Sequence, residues 1–269
     1  MSSMEIRDFQ ETVWEHYRRH GRALPWRVPE ADGHFDAYKI LVSEIMLQQT
    51  QAGRVVPKYQ AFLERFPTVQ DLAAAPLAAV LGTWSGLGYN RRAKYLHEAA
   101  KSLAARNQPW TPEDLVARKG VGPNTAAAVL VYAYNQPLVF IETNIRTVFI
   151  HHFFQEKTDI MDKELLSFVE QALDQEHPRE WYWALMDYGV HLKATVGNAS
   201  RASKHYAKQS AFDGSKRQVR GQVLRLLKEQ SYSLKDLAGY ISDERLSAVL
   251  TDMTAEGLIT KRRNLFHLG

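Results

Sequence analysis

Arg118-Lys119-Gly120-Val121-Gly122-Pro123-Asn124-Thr125 is the stretch on which the fold of this chain turns. Two glycines around one apolar residue permit a tight hairpin. A helix starting directly after it can turn its backbone N–H groups toward an anion such as a phosphate. Asn124 or Thr125 is placed to cap that helix. A similar unit, Trp84-Ser85-Gly86-Leu87-Gly88-Tyr89-Asn90-Arg91-Arg92, stands earlier in the chain before its own helical segment. Helix, hairpin and helix, with cations following, suits a clamp on a duplex backbone that does not read base sequence. Plain turns between helices are the alternative on these residues alone.

Outward from the hairpins, nearly every periodic segment reads as helix. Phe9, Val13 and Tyr17 recur at helical spacing, as do Ile40, Leu41, Ile45 and Leu47, and Leu96, Ala99, Ala100 and Leu103. Breakers at Leu24-Pro25-Trp26, Phe66-Pro67-Thr68, Ala75-Pro76, Trp110-Thr111-Pro112 and His177-Pro178 divide them. Residues 1–193 are therefore expected to form an all-helical domain. Residues 194–216 lose apolar periodicity and read as a basic linker or an extension wrapped on a surface. Residues 217–269 form a smaller unit, with Val219, Val223, Leu226 and Leu227 on one helix and Ser233 opening a second. Ser242 or Asp243 is expected to cap a third, Gly257 to end it, and two short strands to follow around a basic turn at Lys261, Arg262, Arg263 and Asn264. This order resembles a winged helix, a shape that serves DNA-binding and protein-interaction modules alike.

Composition narrows the function. The chain of 269 residues has no cysteine, which excludes disulfides, thiolate zinc sites, cysteine nucleophiles and cysteine-held iron–sulfur clusters. No signal-peptide-like or membrane-spanning run is present, so a cytoplasmic, nucleoid-associated location is expected. The net charge of +4 is modest, but residues 193–225 carry eight cations against the single acid Asp213. Such clustering fits a polyanion binder or a solvated linker.

Five segments then carry a resemblance: Leu24-Pro25-Trp26-Arg27, Ser43-Glu44-Ile45-Met46-Leu47-Gln48-Gln49-Thr50-Gln51, Gly86-Leu87-Gly88-Tyr89, the Gly120-Val121-Gly122 hairpin, and Trp183-Ala184-Leu185-Met186-Asp187-Tyr188-Gly189. In order and spacing they resemble the MutY-type adenine DNA glycosylases of the helix-hairpin-helix superfamily, over about residues 5 to 193. The resemblance implies an all-α helix-hairpin-helix glycosylase fold of two helical lobes, here with a small C-terminal winged-helix-like α+β unit. It implies a monofunctional enzyme, most simply a monomer, that flips a base out of a mismatched or damaged duplex and hydrolyses its N-glycosidic bond. Adenine opposite 8-oxoguanine or guanine is the first expectation. A mismatch thymine, uracil or lesion glycosylase is the second, and a catalytically weak DNA-binding protein the third.

By this resemblance Glu44 is the general acid, expected to be partly desolvated among apolar neighbours, and Asn144 helps hold the water or the sugar. Trp26, Arg27, Trp183 and Asn124 line the base pocket. Gln48, Gln49, Tyr89, Gly120, Gly122, Thr125, Lys204 and Lys208 contact DNA, with Gln49 filling the gap left by the flipped base and Tyr89 stacking near the opposing one. Four departures accompany it. The family's catalytic aspartate falls at Glu142, one methylene longer. Asn124 stands where bifunctional relatives carry a Schiff-base lysine. Lys193, Ser200, Ser203 and Gln209 stand near the four cluster cysteines, so no iron–sulfur cofactor is expected, and packing of His205, Tyr206 and Phe212 is expected to organise the basic stretch instead. Trp183 replaces an acceptor for the flipped base. No catalytic metal is implied; a monovalent cation at the Gly120–Gly122 hairpin is the one ion the resemblance leaves room for.

Overall fold

The computed structural model describes residues 3–209 and 211–269, so Met1, Ser2 and, in the basic stretch, Ser210 lie outside the described residues. Helices α1 (Ser3–His20), α2 (Ala37–Leu47), α3 (Ala52–Arg65), α4 (Val69–Ala74), α5 (Leu77–Trp84) and α6 (Arg91–Leu103) precede the central hairpin. After the short α7 (Pro112–Val116) come α8 (Pro123–Tyr134), α9 (Thr143–Phe153), α10 (Asp162–Gln171) and α11 (Pro178–Thr195). The C-terminal part runs α12 (Lys216–Glu229), β1 (Tyr232–Ser233), α13 (Leu234–Tyr240), α14 (Leu246–Ala255), β2 (Ile259–Arg262) and β3 (Leu265–Leu268). Among the described residues no helix is long and apolar enough to cross a membrane.

The chain forms two interleaved compact units. The first comprises Met1–Ile40, Pro109–Val116 and Val121–Lys208; the second comprises Leu41–Gln108, Ala117–Gly120 and Gln209–Gly269. In the first, α11 is the central element, packing on α9 and α1. Its Trp181, Tyr182, Ala184 and Leu185 are fully buried, and Phe9 of α1 sets its ring against Phe149, Phe153 and Trp181. In the second unit α6 packs against α4 and α5, and the expected stripe Leu96, Ala99, Ala100 and Leu103 is buried there. The aligned apolar positions drive both clusters, since removing them from water is the dominant favourable term. Helix α2 is buried around most of its circumference, with Ile40, Leu41, Val42, Ser43, Ile45 and Met46 at most 2% exposed.

The second unit also takes in residues from Gln209 onward, so the C-terminal elements share a unit with the first hairpin. Helix α12 packs on α5, where Gly82 faces the aliphatic stem of Lys228, and Lys94 donates to the Glu256 carbonyl at 2.6 Å. Strand β3 pairs antiparallel with β2, Lys261 opposite Phe266, around a turn in which Arg263 has a positive φ of 55°. Strand β1, too short to show alternation in the sequence, pairs with the other side of β3 to give the order β1-β3-β2. Ser233 and Asp236 form a capping box on α13. The expected cap of α14 by Ser242 or Asp243 is corrected: the helix begins at Leu246 with Arg245 at the N-cap and no side-chain cap. Asp243 is held by the backbone and guanidinium of Arg245 instead.

The basic stretch also differs from expectation. His205 is exposed, Tyr206 is 36% exposed and Phe212 is 54% exposed, so these rings do not anchor it. Its first part is held by polar groups. Ser200 and Ser203 are buried, the Ile160 N–H donates to the Ala202 carbonyl, and the Lys204 N–H donates back to the Ile160 carbonyl.

Candidate active site and DNA-facing loops

Backbone geometry at the two hairpins follows the glycines. Gly86 and Gly88 have φ of 95° and 75°, and Gly120 has 84°, all in the region that L side chains avoid. A side chain at Gly120 would also strike Tyr95, whose ring lies 2.9 Å from the position of a Cβ. Gly122 is extended, has open space at its Cβ position and serves as N-cap of α8 with Pro123 at the first helical position. The expected side-chain cap from Asn124 or Thr125 is corrected, because α8 has none. Asn124 turns away and its Nδ2 donates to the Ile141 carbonyl at 2.7 Å. An N-terminus without a side-chain cap still offers its N–H groups to a phosphate.

In the second unit the first hairpin is tied to the end of α2 by Arg92. Its guanidinium donates to the Ile45 and Met46 carbonyls at 2.7 and 3.0 Å, to the Gln48 carbonyl, to Thr50 Oγ1 and to the Gly88 carbonyl. A cation on the last carbonyls of a helix satisfies acceptors that have no intrahelical partner. Read from the sequence as one of the cations following a hairpin, Arg92 is instead a buried strut. Burial lowers its pKa to about 10, which leaves it charged at neutral pH. The loop is fixed further by Arg54, which donates to the Gly86 carbonyl at 2.6 Å, and by Trp84 Nε1, which donates to the Gly88 carbonyl at 3.1 Å.

Against this frame stand the residues expected on DNA. Gln49 is exposed with φ of 55°, and Gln48 Nε2 donates to the Gly120 carbonyl at 3.3 Å. Tyr89 has φ of 46°, a strained value for a tyrosine. Its hydroxyl accepts from Arg217 Nη1 at 2.7 Å and from Gln209 Nε2 at 2.5 Å, and the Arg92 and Arg217 guanidinium groups lie 5.4 and 5.2 Å from the ring centroid. Glu44 lies on α2, partly exposed between the buried Ser43 and Ile45.

The other expected site residues belong to the first unit. Glu142 is the N-cap of α9, and its Oε1 accepts from the Asn144 N–H at 2.6 Å and the Ile145 N–H at 3.2 Å. Burial raises the pKa of this carboxyl, opposed by those N–H bonds and by Lys193 and Arg146. Asn144 Oδ1 accepts from Lys193 Nζ at 2.7 Å. Trp26 is 6% exposed, and Arg27 makes a two-pronged pair with Asp187, Nη1 to Oδ2 and Nη2 to Oδ1, both at 2.8 Å. Arg22 donates to the same carboxylate through its backbone N–H and Nε. Burial works to raise the Asp187 pKa, but Arg27 and Arg22 hold it below the ordinary aspartate range. Trp183 is 6% exposed, stacked on Tyr132 at 5.9 Å and under the Arg27 guanidinium at 5.4 Å. Lys204 and Lys208 are exposed.

The iron–sulfur cluster that the resemblance would place here does not fit the groups present. Lys193 is bound to Asn144; Ser200 Oγ donates to Asn198 Oδ1 at 2.6 Å; Ser203 Oγ accepts from the His205 N–H at 3.1 Å. None offers the thiolate that an iron–sulfur cluster requires. Among the described residues no group of three or more His, Asp or Glu side chains could hold a metal ion.

Residues 42–171 match the family described as HhH-GPD superfamily base excision DNA repair protein. An adenine DNA glycosylase of Mycobacterium tuberculosis (strain CDC 1551 / Oshkosh) is 32% identical over 95% of this chain and 91% of its own length. An adenine DNA glycosylase of Mus musculus is 32% identical over 81% of this chain and 44% of its own. A thermostable thymine-DNA glycosylase shares the fold with a TM-score of 0.59 at 23% identity, covering 69% of this chain and 86% of that one. Endonuclease III in a non-covalent DNA complex does so at 0.59 and 17%, covering 72% and 89%. On the identity to the Mycobacterium tuberculosis enzyme, which spans nearly the whole of both chains, the chain belongs to the adenine DNA glycosylase family of the HhH-GPD superfamily of base excision DNA repair proteins.

Proposed function

We propose that this protein is a monofunctional DNA glycosylase that hydrolyses the N-glycosidic bond of adenine mispaired with 8-oxoguanine or guanine. The observation that carries the reading is the carboxylate at the start of α9: Glu142 Oε1 is fixed by two N–H groups of the helix, with the cations Lys193 and Arg146 acting on it and Asn144 following. A carboxylate held in place there stabilises an oxocarbenium ion developing on the deoxyribose better than one free in water. The 32% identity to a named adenine DNA glycosylase across 95% of the chain supports adenine as the base.

Each residue then has one task. Glu44 protonates the departing base, Glu142 faces the sugar cation, and Asn144 holds the attacking water or the sugar. Gln49 fills the space of the extruded base, and Tyr89 stacks beside the opposing one. The uncapped start of α8 and the exposed Lys204 and Lys208 contact phosphates without reading sequence. Water, not an enzyme amine, receives the sugar, because Asn124 cannot form an imine.

Single-turnover assays on duplexes holding adenine opposite 8-oxoguanine or guanine, with abasic sites cleaved by alkali, test the reading. Wild type should release adenine; Glu44→Gln should bind the duplex and release none. Release of thymine or uracil from mismatches without release of adenine would overturn the choice of base.

A further inference from the structure

Lys193 stands where the family resemblance puts a cluster cysteine, and its side chain lies half-buried against α9. Its Nζ is 2.7 Å from Asn144 Oδ1. An ammonium group can only donate, so the amide oxygen must face it and the NH₂ must turn the other way, where Met186 Sδ lies 3.7 Å from Nδ2. The approach is built into the packing of α11 on α9. Gly189, one turn before Lys193, lies so close that an added Cβ would fall 2.6 Å from the Asn144 carbonyl oxygen and 2.8 Å from its Cβ. A residue four positions later on the same helix face is thereby brought to the first turn of α9.

The charges around Glu142 give the lysine a second effect. Arg146, on the same helix, is already paired with Asp162 at the start of α10 through two bonds of 2.8 and 2.7 Å, and His205 also faces Asp162. The 3-10 turn Ala199–Ala202 that packs on α9 is preceded by a neutral amide, Asn198. Lys193 is the cation from α11 that acts on Glu142, and the carboxylate in turn supports the ammonium against the burial that opposes its charge.

We propose that Lys193 is a positioning residue for base excision, whose ammonium fixes the orientation of the Asn144 amide and sets a positive charge against Glu142 at the reacting sugar. This rests on the reading of Glu142 and Asn144 given under Proposed function. In this chain a lysine thus does at the reacting centre what no cysteine ligand at that position could do.

The test compares wild type, Lys193→Met and Lys193→Arg. Two readouts are used: adenine release at single turnover across pH, and titration of the Glu142 carboxyl by ¹³C NMR in the DNA-free protein. Glu142 acts ionised, so the rate falls as pH drops through its pKa. Losing an opposite charge nearby should move both the acidic limb and the titration up by about one pH unit, with about tenfold slower release on the acid side and partial recovery at high pH. Lys193→Arg should restore both, and duplex affinity should stay unchanged. A Glu142 titration in Lys193→Met equal to that of wild type overturns the proposal. So does a loss of rate equal at every pH that arginine does not rescue. Should wild type release adenine and Glu142→Gln not, while Lys193→Met follows wild type, only this proposal fails. Should wild type release no adenine at all, the function reading fails and the excision role of Lys193 goes with it.

Discussion

Glu142 holds its helix and is also proposed to face the substrate. Aspartate, asparagine, serine and threonine are the usual N-caps, with side chains short enough to reach back to the next turn. A glutamate does so here, and both bonds converge on Oε1, leaving Oε2 outside the cap. The longer acid is therefore accommodated by the helix start. Replacing it separates the two roles. Glu142→Gln removes the anion and should slow release about a thousandfold, the scale of a charge–charge term of about 4 kcal/mol at 4 Å and an effective dielectric near 20. Glu142→Asp should cap α9 as well or better, so the thermal midpoint should hold or rise. Single-turnover release, however, should fall about a hundredfold if the carboxylate retreats by about 1 Å. Aspartate releasing adenine faster than wild type would mean that the site is not built around the longer acid.

At the scale of elements, the 3-10 turn Pro25–Arg27 and helix α11 are joined through one buried carboxylate. Asp187 has a side chain 1% exposed and Arg27 one 7% exposed, with Arg22 beside them. Arg27, expected from the sequence in a base pocket, braces these elements through Asp187 and also lies over the Trp183 ring. Removing one partner leaves the other charge buried, which costs about 3–5 kcal/mol in comparable cases. Asp187→Asn should therefore lower the thermal midpoint at neutral pH by several degrees. The sign with pH follows from the depressed pKa. The contribution is complete above the ordinary aspartate value of 3.8 and is lost as pH falls through the lower folded value. The gap between wild type and Asp187→Asn in calorimetry should close on strong acidification. A gap constant with pH would show that geometry, and not the charge of Asp187, sets the difference.

At the scale of the molecule, the C-terminal elements are part of the unit that carries the Gly86–Tyr89 loop. Deleting residues 217–269 would uncover the face of α5 on which α12 packs and remove Arg217 from the Tyr89 hydroxyl. The truncated chain should show a lower and broader melting transition, so point variants are the cleaner probe. Arg217→Ala should keep the fold and weaken duplex binding through the loosened Tyr89. Replacing Lys204 and Lys208 by Ala should flatten the dependence of affinity on salt, each phosphate contact contributing a log–log slope of about −0.9. Titrations of a fluorescent duplex at several salt concentrations measure both. An unchanged slope would return Lys204 and Lys208 to the status of surface residues.

The sequence by itself determined the helices, both glycine hairpins, the C-terminal strand pair and the family. These rest on local signals: apolar periodicity, positive-φ glycines, proline breakers and short motifs whose spacing survives substitution elsewhere. It did not determine which side chains serve structure and which remain for chemistry. Arg92 looked like a phosphate cation and became a buried strut at the end of α2, because only the assembled unit brings the Ile45, Met46 and Gln48 carbonyls to one point. Asn124 looked like a cap and instead bonds Ile141; Tyr206 and Phe212 looked like anchors and are exposed. Lys193 showed in the sequence only as one cation in a basic run and one missing cysteine. Its bond to Asn144 comes from the close crossing of α11 and α9 at Gly189, forty-five residues along the chain from Asn144. Pairings of that kind depend on the distance between packed elements. Tertiary structure decided them because burial and a neighbouring charge, the two quantities that set the chemistry of an ionisable group, do not exist until the helices meet.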